Sequence, residues 1–187
     1  MVRFKGKLYL LPAPIEENGL ASIPAEAIRI MHSLDHFIVE RARTSRRYIS
    51  STKPPKKIEG LIIEEMPEDV ANTKLMEAQM QPLLDGKDMG ILSEAGMPAL
   101  ADPGSKYVAI AHRLGIRVVP LAGPSSIMMA LIASGLEGQR FAFHGYLSAK
   151  KEDLANEIRD LARRADRDDA TQIWIETPYR NKQVMEA

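Results

Sequence analysis

The stretch Met89-Gly90-Ile91-Leu92-Ser93-Glu94-Ala95-Gly96-Met97-Pro98-Ala99-Leu100-Ala101-Asp102-Pro103-Gly104 decides the fold. Its first four residues form a short apolar run that reads as a buried strand. The next twelve, rich in Gly, Pro, Ser and acid, read as a loop, and Ser105–Leu114 reads as a helix. Strand, loop and helix in that order form the repeating unit of an open parallel α/β sheet, which binds small ligands at the carboxyl ends of its strands. The same alternation runs outward in both directions. Leu8–Leu11, Phe37–Val39, Leu61–Ile63 and Arg117–Pro120 are further strand candidates. Pro24–Leu34, Arg41–Ser50 and Ala71–Leu84 have helical apolar spacing or composition; Ser22 is the expected cap of the first, and Leu75, Met76, Met80, Leu83 and Leu84 form the expected inner face of the third. Short apolar strands separated by helices predict a mainly parallel five-stranded sheet covered on both faces.

After Pro120 the pattern changes. Leu121–Ser126 is a turn into Ile127–Ala133, a helix apolar all round and therefore expected to be buried. Phe141–Phe143 and Ile173–Ile175 read as strands, Lys151–Ala165 as a charged helix, and Tyr179–Ala187 as the first turns of another helix. We expect two α/β domains, residues 1–121 and 122–187. The second has too few strands for a sheet of its own, so the chain is expected to be incomplete there.

Composition removes several classes of chemistry. The 187 residues contain 25 Lys plus Arg and 25 Asp plus Glu, so no global field announces a polyanionic partner. With no cysteine, disulfides, thiolate metal sites and cysteine nucleophiles are excluded. The basic start Met1–Lys7 leads into too few apolar residues for a signal or membrane segment, which predicts a cytoplasmic protein without a membrane partner. No glycine-rich dinucleotide or phosphate loop and no nucleophile elbow is present. His32 and His36 are four apart, but Asp35 and the following strand place a helix end between them, so no metal site is expected.

Four loops follow strand candidates: Pro12-Ala13-Pro14, Ser93–Gly104, Gly123–Ser126 and Glu176-Thr177-Pro178. The first three are expected to converge on one edge of the sheet. Gly96 and Gly123 would let a ligand approach the backbone. Ser125 and Ser126 stand at a helix amino terminus, which favours an anion, and Glu94 offers a carboxylate to hydroxyls or an amine. Asp102-Pro103-Gly104 reads equally as an ordinary helix start, and Gly123-Pro124-Ser125 as a plain turn. A basic stretch, with Arg41, Arg43, Arg46, Arg47, Lys53, Lys56 and Lys57, contains no acid, although Glu59, Glu64, Glu65, Glu68 and Asp69 follow. It reads either as a phosphate-binding patch or as a solvated surface matched by those acids.

Taken in order, these segments resemble the tetrapyrrole methylase family, the class III S-adenosylmethionine-dependent methyltransferases. They are most similar to its bacterial subgroup that methylates ribose 2′-hydroxyls of small-subunit ribosomal RNA. Ser93–Gly104 matches the family's S-D-A-G-T-P-x-x-x-D-P-G, and Ala122–Ser126 its P-G-P-S-A. Leu11–Asn18 resembles V-P-T-P-I-G-N-L, Val39–Ser45 resembles A-E-D-T-R-x-T, Phe141–Lys150 resembles F-x-F-x-G-F-L-P-x-K, and Glu176–Arg180 resembles E-S-P-H-R. Glu16-Glu17, Arg41 and Met97 depart from these patterns.

The resemblance implies two α/β domains with a ligand cleft between them, a homodimer, and S-adenosylmethionine as methyl donor with no metal. It implies donor contacts from Pro12, Ser93, Glu94, Gly96, Met97, Ser125, Ser126, Ile127, Glu176 and Thr177. The acceptor it implies is ribosomal RNA, with Arg43, Arg46 and Arg47 on its phosphates. A ribose hydroxyl must lose its proton, and Glu40 and His144, each read as lying at a strand end, are the candidate bases. A small-molecule acceptor such as a tetrapyrrole, and a non-catalytic donor-binding protein, are the alternatives.

Overall fold

The computed structural model describes residues 4–69 and 71–186, so the readings made at Met1–Arg3 and Ala187 lie outside the described residues. The chain divides into two compact units, Met1–Ser125 and Ser126–Ala187.

The first unit is built on five parallel strands: β1 (Lys7–Leu11), β2 (His36–Val39), β3 (Ile62–Glu65), β4 (Met89–Leu92) and β5 (Arg117–Pro120). Their order across the sheet is β3-β2-β4-β1-β5. Period-2 alternation sorts their side chains onto two faces. Leu8, Leu10, Ile38, Met89 and Ile91 enter one core cluster, while Leu11, Phe37, Val39 and Leu92 enter the other. The helices follow the direction of chain travel. α1 (Ala25–Ser33) and α2 (Ala42–Ser51) carry the chain from β1 through β2 to β3 and pack Met31 and Ile49 on the second face. α3 (Thr73–Gln79), α4 (Gln81–Leu84) and α5 (Gly104–Arg113) return it the other way and place Met76, Met80, Leu83, Tyr107 and Ile110 on the first. Opposite directions of travel with right-handed crossovers require opposite faces.

Three local expectations are corrected. The helix read over Ala71–Leu84 is two helices broken at Met80. Pro82 lacks an N–H and sits in the first turn of α4, where that loss is harmless. Asn72 caps α3 by accepting the Leu75 N–H at 3.2 Å, and Leu75 is 44% exposed rather than part of the inner face. Ser22 does not cap α1; its hydroxyl donates to the Gly19 carbonyl, and Pro24 occupies the cap position.

In the second unit, β6 (Phe141–Tyr146) and β7 (Thr171–Ile175) form a parallel pair, interrupted by an irregularity between Phe143 and Tyr146. α7 (Lys151–Asp168) buries Leu154 and Leu161 in a small cluster with Leu147 and with Val184 of α8 (Asn181–Met185). α6 (Ser126–Ser134) is not the buried helix its composition predicts. Only Ile127 and Leu131, four apart on one face, are buried, and Ile132 is 81% exposed. A composition apolar all round does not name the buried face when the sheet offered to the helix has only two strands.

Gly90 lies in the central strand β4. A Cβ there would stand 2.5 Å from Leu11 Cδ1 and 3.1 Å from Leu34 and Phe37 side-chain carbons. Gly90→Ala is therefore expected to lower stability by about 1–3 kcal/mol through overpacking, measured by denaturant unfolding. A midpoint equal to that of the wild type would show that those side chains repack freely.

Candidate functional site

Strand order places the ends of β2, β4, β1 and β5 side by side. The connection from β1 departs across β4, and that from β4 returns across β1, so the two loops separate at a topological switch point. There the backbones of the two loops pair. Ala13 N–H donates to the Gly96 carbonyl at 2.8 Å, and Gly96 N–H donates back to the Ala13 carbonyl at 3.0 Å. Gly96 has φ +73°, a region that glycine enters without steric cost. The loop after β5 packs against both. A Cβ at Gly123 would fall 2.1 Å from Pro12 Cβ and 3.1 Å from Met97 Sδ. Gly123 thus serves loop-on-loop packing, and the space expected there for a ligand is filled by Pro12.

Polar side chains from β2 and α2 hold these loops. Glu40, at the end of β2, accepts the Glu94 N–H at 3.0 Å. The Glu94 carboxylate accepts the Thr44 hydroxyl on Oε1 at 2.5 Å, and its Oε2 has no hydrogen-bond partner among the described residues. Tyr48, one turn beyond Thr44, donates its hydroxyl to the Pro12 carbonyl at 2.9 Å. Burial pushes the Tyr48 phenol up to about 12, so it stays a donor across the physiological range. Ser93 is buried, with its hydroxyl on the Ala95 carbonyl at 3.2 Å.

The second half of the long loop is structural. Ala99 (φ +67°) and Ala101 (φ +65°) are left-handed, which costs a residue with a Cβ about 1 kcal/mol or more. One oxygen of Asp102 accepts from Ala99 N–H at 2.9 Å and Gly104 N–H at 2.7 Å, tying this turn to the first residue of α5. Asp102 acts one position earlier than a helix cap would, since Pro103 holds the cap position.

Burial raises the Glu40 carboxyl above its ordinary range. The Glu94 N–H opposes that shift, and the charges of Asp102 and Glu94 add to it.

The remaining predicted residues are distributed as follows. Arg43, Arg46 and Arg47 stand exposed on α2, and none makes an ion pair among the described residues. The acids considered as their mates are not used this way; Glu65 instead accepts the Ala42 N–H at 2.6 Å. Ser125 ends the first unit; Ser126 opens α6 in the second, followed by the buried Ile127. Glu176 and Thr177 follow β7, where Glu176 Oε1 accepts the Thr177 N–H at 2.7 Å and Oε2 lies 3.3 Å from the Arg180 guanidinium. His144 is inside β6 rather than at a strand end, because β6 continues to Tyr146, and its Nε2 is 2.8 Å from Gln172 Oε1 on β7. Among the described residues no cluster of three His, Asp or Glu side chains is arranged to hold a metal, and no helix is long and apolar enough to cross a membrane. Sequence reasoning missed Thr44 and Tyr48; their four-residue spacing beside Arg43 and Arg47 is the signal that marks a second working face on α2.

A sequence profile of the tetrapyrrole (corrin/porphyrin) methylases matches residues 7–187. The chain belongs to this family. Among curated proteins it is 30% identical over 182 residues to the ribosomal RNA small subunit methyltransferase I of Halalkalibacterium halodurans, covering 97% of this chain and 59% of that protein. It is 31% identical over 184 residues to the protein of the same name from Bacillus subtilis, covering 97% and 58%. The chain thus spans about three-fifths of the length of these relatives. The solved structure of the methyltransferase CobJ has the same fold, with a TM-score of 0.62 at 14% identity, over 97% of this chain and 73% of that one.

The raised Glu40 carboxyl sets a pH dependence for this methylase-family chain. Below the unfolded value, about 4.3, both states are protonated and burial of the group carries no charge penalty. As pH rises the unfolded chain ionises first, so stability falls up to and through the higher folded value. Glu40→Gln keeps an acceptor for the Glu94 N–H and carries no charge. Its stability relative to wild type is therefore expected to grow as pH rises through the carboxylate range, read from thermal midpoints at a series of pH values. A constant difference would contradict the assignment.

Proposed function

We propose that this chain is an S-adenosylmethionine-dependent methyltransferase domain acting on a ribose 2′-hydroxyl of ribosomal RNA. The observation that carries the reading is the interlocked loop set after β1, β4 and β5, with the Glu94 carboxylate held beside it by Thr44, in a chain of the methylase family. The relatives named as ribosomal RNA methyltransferases support the choice of acceptor.

The residues present fit the donor. Glu94 is exposed, with one oxygen fixed by Thr44 and the other free to accept from ribose hydroxyls or an amine. Pro12, Ser93, Gly96 and Met97 surround the switch point and would contact the donor largely through backbone. We extend the donor set to Ser125, Ser126, Ile127, Glu176 and Thr177 by their place in the family motifs. S-adenosylmethionine supplies a methyl group activated by its sulfonium.

The chain's own task is to hold the acceptor oxygen in line with that methyl carbon and to take its proton. Glu40 suits the second role, since burial raises its affinity for a proton and it stands beside Glu94. His144 is the weaker candidate because its Nε2 is already engaged by Gln172. Among the described residues Arg43, Arg46 and Arg47 have no acidic partner to displace, and they would meet RNA phosphates on the outer face of α2.

Two measurements test this reading. Calorimetry with S-adenosylhomocysteine is expected to show saturable one-site binding; its absence would remove the donor assignment. Replacing Arg43, Arg46 and Arg47 together by Ala is expected to weaken binding of small-subunit ribosomal RNA and to reduce the slope of log affinity against log salt by about 2. An unchanged slope would move the RNA site elsewhere, and a loss of donor binding in the same variant would contradict the division of labour across α2.

A further inference from the structure

The helix α2 (Ala42–Ser51) has two polar faces, and only the outer one is accounted for by acceptor binding. Arg43 and Arg47 are four apart and exposed. Thr44 and Tyr48 are also four apart, turned about a quarter turn from them. The second pair reaches two different loops of the switch point. Thr44 Oγ1 stands 2.5 Å from Glu94 Oε1 and 3.2 Å from the Arg41 carbonyl. A hydroxyl has a single proton, and the shorter contact to a charged acceptor is the one it makes. Tyr48 Oη stands 2.9 Å from the carbonyl oxygen of Pro12, a buried residue of the loop after β1. The two loops are themselves joined by the Ala13–Gly96 bridge, so each hydroxyl acts on a paired structure. The partly open space lined by Ala13, Pro14, Thr44, Ser45, Tyr48, Ser93 and Glu94 is about 40 Å³. That is room for about one water, so α2 holds the loops by direct contact.

We infer that Thr44 and Tyr48 are positioning residues for the methyl donor, with Thr44 orienting the Glu94 carboxylate and Tyr48 fixing the Pro12 backbone. The inference rests on the reading of these loops as the donor site. In this assignment both hydroxyls act through the groups they bond, the Glu94 carboxylate and the Pro12 carbonyl, and not through contact with the donor. Thr44 holds an exposed carboxylate as an acceptor of set direction. Tyr48 holds the first loop at the height at which Gly123 packs on Pro12. The side chains that ready the donor loops and those proposed to hold the acceptor's phosphates thus alternate along one helix.

The test uses the full chain and S-adenosylhomocysteine, measured by calorimetry for wild type, Tyr48→Phe, Thr44→Val and Thr44→Ser. Tyr48→Phe and Thr44→Val each delete a hydroxyl at nearly constant shape, and each is expected to weaken binding by about threefold to tenfold. Thr44→Ser restores the hydroxyl and is expected to bind within twofold of wild type. Affinity for small-subunit ribosomal RNA without the donor analogue is expected to stay within twofold for all three variants, which general unfolding would not allow. Wild-type affinity in both Tyr48→Phe and Thr44→Val would overturn the inference and leave the donor site standing. Loss in Thr44→Ser equal to that in Thr44→Val would overturn the role of the Thr44 hydroxyl. Absence of binding by the wild-type chain would overturn the inference and the donor reading together.

Discussion

The reciprocal backbone pairing of Ala13 and Gly96 is the interaction on which the first unit's site depends. It joins two loops that the topology sends in opposite directions. Adjacent parallel strands whose connections diverge leave a crevice, and an open crevice does not specify where its rims stand. Two hydrogen bonds across it fix the distance between the rims. They require φ +73° at Gly96, a backbone region unfavourable to a side chain with a Cβ. Gly123 then completes the arrangement by letting the third loop lie against Pro12.

Around this pairing the structure spends its polar groups on holding backbone. Glu40 accepts from the Glu94 N–H, Tyr48 donates to Pro12, and Asp102 bridges two N–H groups of a turn with left-handed alanines. Each bond joins residues that are distant in sequence or locally strained, and a loop without such ties samples many conformations. The site proposed for the methyl donor is thus a pre-formed backbone surface with one presented carboxylate. Such a surface loses less entropy on binding than one ordered by its ligand.

α2 relates the proposed donor and acceptor roles within the first unit. Its apolar stripe, through Ile49, anchors it under the sheet, and its polar residues divide between loop-directed hydroxyls and solvent-directed guanidinium groups. The absence of acidic residues over 41–57 has a physical consequence here: among the described residues Arg43, Arg46 and Arg47 make no ion pair, while Glu65 turns to the helix's own amino terminus.

The alternation of apolar strands with amphipathic helices determined the five-stranded parallel sheet, since short continuous apolar runs, buried on both faces, leave few other solutions. The Gly- and Pro-rich loops after β1, β4 and β5 also marked the edge of the first unit's sheet at which those three loops meet. Strand order, however, is a matter of long-range pairing that local patterns do not encode. It decided that the loops after β1 and β4 meet, that Gly123 is filled by Pro12, and that Thr44 faces Glu94, 50 residues away. The break at Met80 followed from Pro82, a local signal outweighed in the reading by an apparent apolar stripe. The exposure of α6 and the placement of His144 inside β6 depended on how much sheet the second unit offers and where its strand ends. Residue chemistry and spacing thus determined which groups were available. Which of them touch was decided by tertiary pairing, because a hydrogen bond forms only where the fold brings donor and acceptor within about 3 Å.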